Sequence, residues 1–163
     1  FPKLNFKPPI AIHHHMLLGL QFSANEKEGV ERKIAMKMSK SKPETAIFMT
    51  DSAEEIKSKF KKAYCPEGIE QDNPVLEYAK YIVFELFPEI EIVRDKKFGG
   101  NLKIDSYEEL KDKFVNKEIH PLDLKSAIAN YIDKALIPVR NHFEKNKNAK
   151  DLLEKVKEFG LTK

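Results

Sequence analysis

Five consecutive residues, Lys37-Met38-Ser39-Lys40-Ser41, bring ammonium, hydroxyl and backbone N–H groups into one short polar stretch. This combination suits a polyphosphate whose charge moves during a reaction, because several donors can converge on its oxygens. Lys42 and Pro43 follow directly. A run of lysines in a chain this rich in charge is also typical of a solvated loop, and composition alone favours that interpretation.

The composition narrows the class of protein. The chain has 163 residues, of which 41% are hydrophobic, so it can bury a sizeable core in one large domain or two small ones. Its 29 basic and 26 acidic residues leave a net charge of only +3, which excludes a global basic field for indiscriminate nucleic-acid binding. The single cysteine, Cys65, excludes an internal disulfide and indicates a reducing cytoplasm.

The ends and the apolar runs of the sequence carry two further expectations. No apolar run approaches the length of about 18 residues that a membrane span requires, and the N-terminus lacks the layout of a signal peptide. The chain begins at Phe1 and continues into sequence rich in proline and lysine. We therefore expect a piece of something longer.

The predicted secondary structure changes near residue 50 and becomes mainly helical. This change predicts a domain of residues 1–50 and another of residues 51–163. In the first, Ile10-Ala11-Ile12 predicts a buried strand, and residues 46–50 predict a second strand-like or extended piece. A polar stretch between them reads as a mobile loop that leads to the lysine motif.

The second predicted domain is mainly helical. Ser52 with Glu55 and Ser106 with Glu109 are capping boxes, and Asn73-Pro74 is a third helix start. The apolar face of the helix after Pro74 is expected to consist of six residues: Val75, Leu76, Ala79, Ile82, Val83 and Leu86.

A hairpin and two further helices complete the prediction. Alternating residues on both sides of Gly99-Gly100 predict a β-hairpin with Phe98 beside its turn. The longest apolar period follows Pro121 and predicts a long helix that Pro138 should kink. A short amphipathic helix should then end at Gly160.

With its neighbours, the lysine motif resembles the KMSKS signature of class I aminoacyl-tRNA synthetases in all five positions. The chain is similar to the C-terminal half of the archaeal and eukaryotic-type tyrosyl-tRNA synthetases over nearly its whole length. The stretches that carry the resemblance are PIAIHHHMLLGL, KMSKSK, DSAEEIKSKFKKAYCPEG, KFGGNL, SYEEL and HPLDLK. The resemblance implies a helical anticodon-binding domain, preceded by the C-terminal remnant of a Rossmann-like catalytic domain that carries the KMSKS loop.

The resemblance also implies a reaction. Such enzymes condense tyrosine with ATP, which carries Mg²⁺ on its phosphates, and then transfer the tyrosyl group to tRNA(Tyr). Lys37 and Lys40 would hold the leaving pyrophosphate, and further ATP contacts would come from Met38, Ser39, Ser41 and Lys42. Archaeal tyrosyl enzymes often read KMSSSK, so the motif leaves open whether Lys40 or Lys42 reaches the phosphates; we favour Lys40. No protein-bound metal is implied.

Three residues later in the chain match the positions with which this family reads the first anticodon base, a guanine. Phe98 would stack on the base, and His120 with Asp123 would contact its edge. Each has a structural alternative, because Phe98 can cover the hairpin end, His120 can cap a helix and Asp123 suits its first turn.

The triplet His13-His14-His15 allows a metal site of two ligands at most, since only alternate residues of a strand share a face. The resemblance instead puts His13 and His15 on the ATP side of the catalytic domain. The family's HIGH-like motif and tyrosine pocket are absent from the sequence. We therefore expect a truncated or split enzyme that is inactive without an N-terminal catalytic half and homodimeric when complete.

Two alternatives stay open at this point. The chain could be a stand-alone RNA-binding module derived from a synthetase. It could also be a fragment of a tryptophanyl-tRNA synthetase, although that family tends to have alanine in place of Lys40 and lacks the KFGG and HPxD stretches.

Overall fold

A computed structural model describes residue 3, residues 5–21, residue 29, residues 36–39 and residues 42–159. Its helices are α1 (Ala53–Lys62), α2 (Pro74–Tyr78), α3 (Phe84–Leu86), α4 (Tyr107–Val115), α5 (Pro121–Lys145) and α6 (Lys147–Glu158). The strands β1 (Ile90–Ile92) and β2 (Leu102–Ile104) pair antiparallel. The predicted mainly helical architecture with one hairpin is therefore confirmed. The domain boundary at residue 50 and the Rossmann-like remnant stay predictions.

Helix α1 begins at the predicted capping box. The hydroxyl of Ser52 accepts a hydrogen bond from the backbone N–H of Glu55, and the Glu55 carboxylate accepts one from the N–H of Ser52. The backbone N–H of Ser52 is the main reason that the pKa of Glu55 lies below its usual value of 4.5. Because the folded pKa is lowered, this stabilisation is present above pH 4.5 and is lost as the pH falls through the folded value.

Replacing Ser52 with alanine is expected to lower the free energy of unfolding by about 1 kcal/mol, because the backbone N–H of Glu55 loses the hydroxyl that accepts its hydrogen bond. Urea unfolding at pH 7 measures the change. Ser58→Ala is the matched control: Ser58 is exposed in the middle of the same helix, where alanine is the better helix former. Equal destabilisation by both substitutions would contradict the role assigned to the cap.

Asn73 starts α2 as predicted, with its side-chain oxygen accepting from the N–H groups of Val75 and Leu76. The helix then widens into a π-helical turn over Ala79–Val83 before α3. An extra residue per turn rotates everything beyond it, and Leu86 is consequently 60% exposed. Leu86 was wrongly predicted to lie on the buried face, since a uniform period of 3.6 residues does not survive the π-turn.

The hairpin joins β1 to β2 through a short 3₁₀ turn, Lys96–Phe98, and two glycines. Gly99 and Gly100 both have positive φ angles, of 92° and 75°, which glycine adopts without the strain of a side chain. Strand β1 is fixed to the long helix because the N–H of Glu91 donates to the Tyr131 hydroxyl at 2.8 Å. Phe98 thus stands at a defined turn beside α5.

Helix α5 contributes a large part of the core, and the helix continues through Pro138. Its buried face, which includes Leu124, Ile128 and Ile132, packs against α1 and the hairpin. Helix α6 follows after Asn146, whose side chain accepts from the N–H of Ala149. The predicted stop of α6 at Gly160 lies outside the described residues. None of the described helices is both long enough and apolar enough to cross a bilayer.

The predicted buried strand at residues 10–12 is wrong. Ile10 and Ile12 are 93% and 87% exposed, and these residues form no strand. A strand needs a neighbour for its backbone N–H and C=O groups, and no described segment pairs with this one. Residues 46–50 are an extended piece and a turn without strand pairing.

Candidate functional site

The lysine motif begins in an ordered backbone setting. Lys37 forms an isolated antiparallel bridge with Leu18, and the N–H of Gly19 donates to the carbonyl of Met36 at 2.7 Å. The hydroxyl of the buried Thr45 accepts from the N–H of Ser39 at 3.2 Å. The distant backbone of residues 18–19 and the nearby side chain of Thr45 therefore both contact residues 36–39.

Thr45 also closes the far side of the motif. Its hydroxyl donates to the carbonyl of Lys42 at 2.8 Å, and its backbone N–H donates to the same carbonyl at 2.9 Å. The side chains of Lys37 and Lys42 are exposed, whereas Met38 and Ser39 are half-buried. Lys40 and Ser41 lie outside the described residues.

Helix α2 contacts this segment through the side chains of Glu77 and Tyr78. The carboxylate of Glu77 accepts from the backbone N–H of Leu18 at 2.8 Å, and its other oxygen lies 3.2 Å from Nε2 of His15. The hydroxyl of Tyr78 lies 3.5 Å from the sulfur of Met38. Burial raises the pKa of Tyr78 to about 12, so its hydroxyl stays protonated at neutral pH.

The two histidines assigned to the ATP side differ in their surroundings. His15 stacks on Tyr81 with ring centroids 4.1 Å apart, in addition to its contact with Glu77. His13 is exposed. Across the described residues, no group of three or more histidine, cysteine or acidic side chains is arranged to hold a metal ion. The nucleotide contacts of His13 and His15 stay predictions.

A second site lies at the hairpin end of the molecule. A cleft of about 440 Å³ lies between the hairpin turn and the N-terminal end of α5. Phe98, His120 and Asp123 all line it, although Phe98 belongs to a different element from the other two. The fold thus brings together the three residues that the sequence predicted to read one base.

Each of these side chains has a local reason for its position. The ring of Phe98 is 62% exposed at the hairpin turn, with the ammonium of Lys97 4.9 Å from its centroid. Nδ1 of His120 accepts from the N–H of Leu122, which makes His120 the N-cap of α5. Asp123 is half-buried in the first helical turn, where the helix dipole favours its negative charge.

Arg94 also lines this cleft, and the sequence reading missed it. Its Nε donates to the carbonyl of Gly100 at 3.0 Å, and its Nη1 donates to the carbonyl of Glu118 at 2.8 Å. One guanidinium therefore connects the hairpin turn to the loop before α5. Arg94 is the only arginine close to the Gly-Gly turn in the sequence, which is a weak indication of a role there. Its partners are backbone carbonyls, which every residue type has, so the sequence does not identify them.

Arg94→Ala is expected to lower the free energy of unfolding by about 2 kcal/mol, because two backbone carbonyls lose a charged donor. Urea unfolding with tyrosine fluorescence measures this change. Lys96→Ala, an exposed cation in the same turn, serves as the control and should leave stability within about 0.5 kcal/mol of the parent. Similar losses for both variants would refute the connection made by Arg94.

Comparisons with known proteins show the family of this chain. Residues 29–137, more than half of the chain, match the profile of the family "tRNA synthetases class I (W and Y)". The tyrosine–tRNA ligase of Thermococcus kodakarensis is 47% identical over 155 residues, and cytoplasmic tyrosine–tRNA ligase 2 of Arabidopsis thaliana is 43% identical over 155 residues. These alignments cover 91% and 95% of this chain.

Solved structures give the same result. The crystal structure of the Pyrococcus horikoshii tyrosyl-tRNA synthetase with L-tyrosine matches 88% of this chain with a TM-score of 0.76 and 44% identity. The Leishmania major tyrosyl-tRNA synthetase with tyrosinol matches 91% of the chain with a TM-score of 0.74 and 32% identity.

The matches cover only part of each relative. The chain spans 41% of the Thermococcus enzyme, 19% of the Arabidopsis enzyme and 40% of the Pyrococcus structure. Both the sequence and the fold nevertheless agree with tyrosyl enzymes over nearly all of this chain. The chain therefore belongs to the class I tRNA synthetase family of the tryptophan and tyrosine enzymes, where it is similar to the C-terminal portion of archaeal and eukaryotic-type tyrosyl-tRNA synthetases.

Proposed function

We propose that this chain is the part of a cytoplasmic tyrosine–tRNA ligase that supplies the KMSKS loop and recognises the anticodon of tRNA(Tyr). The observation that carries the proposal is the cleft shared by Phe98, His120 and Asp123. An aromatic face, a half-buried carboxylate and an exposed imidazole at a helix start suit the recognition of one unstacked base. In the complete enzyme, the partners would be tyrosine, ATP with Mg²⁺, tRNA(Tyr) and a second subunit of the homodimer.

The chemistry of the cleft favours guanine as that base. A carboxylate only accepts hydrogen bonds when ionised, and the Watson–Crick edge of guanine offers two neighbouring donors, N1–H and N2–H₂. Adenine offers an acceptor at N1 and has no amino group at C2. Asp123 would therefore select guanine, while stacking on Phe98 would add about 1 to 3 kcal/mol without distinguishing the bases.

The role proposed for the lysine motif is electrostatic. When the tyrosine carboxylate attacks the α-phosphate of ATP, negative charge accumulates on the departing pyrophosphate, and ammonium groups near it stabilise that charge. Lys37 and Lys40 would do this, with Met38, Ser39, Ser41 and Lys42 completing the nucleotide contacts. The contacts of the described part of the motif support the proposal: Thr45 accepts from the N–H of Ser39, Tyr78 contacts the sulfur of Met38, and Glu77 binds Leu18, which pairs with Lys37.

The test is binding of the chain to two anticodon stem-loop RNAs that differ only in the first anticodon base, guanine in one and adenine in the other. A preference for guanine of about 5- to 160-fold is expected, since one bidentate contact discriminates by about 1 to 3 kcal/mol. Equal affinity for both RNAs would overturn the anticodon assignment.

Two rival functions give different results in this and a second assay. A stand-alone RNA-binding module would bind structured RNA tightly and would leave pyrophosphate exchange at background when the N-terminal half of a tyrosyl enzyme is added. A tryptophanyl fragment would prefer a stem-loop with a different anticodon. Tyrosine-dependent exchange in the mixture would support the proposed enzyme.

A further inference from the structure

A groove lined with lysines lies between α1 and α5, next to the cleft. Its volume is about 290 Å³, and its lining residues are Lys57, Lys61, Leu122, Lys125, Ser126 and Ala129. Lys57 and Lys61 are one turn apart on α1 and therefore project from the same face of that helix. Lys125 faces them from α5. The groove is thus lined by three lysines and a serine, and none of its described lining residues is acidic.

None of these three lysines forms an ion pair with a carboxylate in the described part of the chain, although several other lysines do. On the same helix, Lys59 pairs with Asp51. On the hairpin, Lys103 pairs with Glu89, and on α4, Lys111 pairs with Glu108. Three positive charges without ion-pair partners make the groove a local positive site on a chain whose net charge is only +3.

Helix electrostatics alone does not explain this arrangement. A lysine in the last turn of a helix interacts favourably with the helix dipole, and this accounts for Lys61. Lys57 lies in the middle of α1, and Lys125 lies near the N-terminal end of α5, where the dipole does not favour a cation.

Lys125 is also held over the groove. Its ammonium group donates to the carbonyl of Lys61 at 3.4 Å, which leaves two of its three N–H donors for a ligand. A cation that is oriented in advance loses less side-chain entropy when an anion binds.

The groove and the cleft form one continuous surface. Leu122, which is 58% exposed, lines both of them. The cleft side contains carboxylates, including Asp123 and Glu118, whereas the described residues that line the groove are cationic or neutral. This division matches the two tasks of an RNA-binding surface, in which base contacts specify and phosphate contacts position the backbone.

We propose that the groove of Lys57, Lys61 and Lys125 binds the sugar-phosphate backbone of the anticodon arm while the cleft holds the first anticodon base. The proposal rests on the function assigned above. It assigns the backbone contact to three particular lysines and excludes the lysines at the junction of α5 and α6, namely Lys145, Lys147 and Lys150.

The experiment measures the salt dependence of binding between the chain and the guanine-containing stem-loop. The groove variant is Lys57→Gln/Lys61→Gln/Lys125→Gln. The negative slope of log K against log salt concentration should be smaller in magnitude for this variant by about 2 to 3, because three fewer phosphates are neutralised. Over the fourfold range from 200 to 50 mM salt, the affinity deficit of this variant should therefore grow by about 20- to 40-fold. Its preference for guanine over adenine should equal that of the parent.

The matched control is Lys145→Gln/Lys147→Gln/Lys150→Gln, which removes the same charge from exposed positions at the other end of α5. Its salt slope should equal that of the parent, and thermal melting should show that both triple variants are folded. An unchanged slope in the groove variant, or equal changes in both variants, overturns the groove assignment. Loss of the guanine preference in the parent overturns the anticodon function instead, and the slopes still decide on the groove.

Discussion

Asp123→Asn is expected to remove most of the guanine preference of the chain. The substitution keeps the size of the side chain but replaces one acceptor oxygen with an NH₂ donor, which faces the donors on the edge of guanine. The discrimination between guanine and adenine stem-loops should fall by about 5- to 160-fold, the loss of one bidentate contact. Fluorescence anisotropy with both RNAs at one salt concentration measures the ratio.

The ratio also separates recognition from stability. Asp123 lies in the first turn of α5, where loss of its charge should destabilise the helix by about 0.3 to 1 kcal/mol. A partly unfolded chain would bind both RNAs more weakly, and the ratio of the two affinities would not change. Glu118→Gln is the control, because it makes the same change from carboxylate to amide within the same cleft. The Glu118 carboxylate lies 3.4 Å from the ammonium of Lys113, and it has no proposed contact with the base. An unchanged ratio for Asp123→Asn, or an equal fall for Glu118→Gln, would contradict the assignment.

The helix starts could be predicted from the sequence because their physics is local. Ser52, Asn73 and Ser106 each accept a hydrogen bond from an N–H two or three residues ahead, so the short pattern contains all the partners. The second capping box is only half formed, since the Glu109 carboxylate accepts from the N–H of Asp105 and not from that of Ser106. Even there, the helix begins where predicted.

Two other features could not be predicted in this way. The π-turn at Ala79–Val83 lies in a sequence without proline or glycine to indicate it, and the error at Leu86 follows from it. The expected strand at Ile10 and Ile12 has the composition of a buried strand, but burial requires a neighbour that its own residues do not specify.

The candidate site contains residues that could be predicted from the sequence and residues that could not. Phe98, His120 and Asp123 were identified through the family resemblance, since neither periodicity nor spacing relates a hairpin turn to a helix start. Arg94 was not predicted, because it binds the backbone carbonyls of Gly100 and Glu118, and any residue type could supply these acceptors. The groove of Lys57, Lys61 and Lys125 depends on the packing of α1 on α5, which the spacing of these lysines in the sequence does not specify.

Lys40→Ala is expected to have the largest effect of all. When the chain is combined with the N-terminal half of a tyrosyl enzyme, this substitution should lower tyrosine-dependent pyrophosphate exchange by about 10²- to 10³-fold. The physical reason is that a positioned donor to a charge that develops in the transition state contributes about 3 to 4 kcal/mol. Because the interaction strengthens as the pyrophosphate departs, kcat should fall more than the affinity for ATP.

Lys42→Ala is the matched control and resolves the choice that the motif leaves open. The Lys42 carbonyl, which alanine retains, accepts both hydrogen bonds from Thr45, so the local backbone should persist when the exposed side chain is removed. We expect this variant to keep most of the exchange activity. If Lys42→Ala abolished exchange while Lys40→Ala spared it, the phosphate contact would belong to Lys42, and the loop would act one residue beyond its five-residue signature.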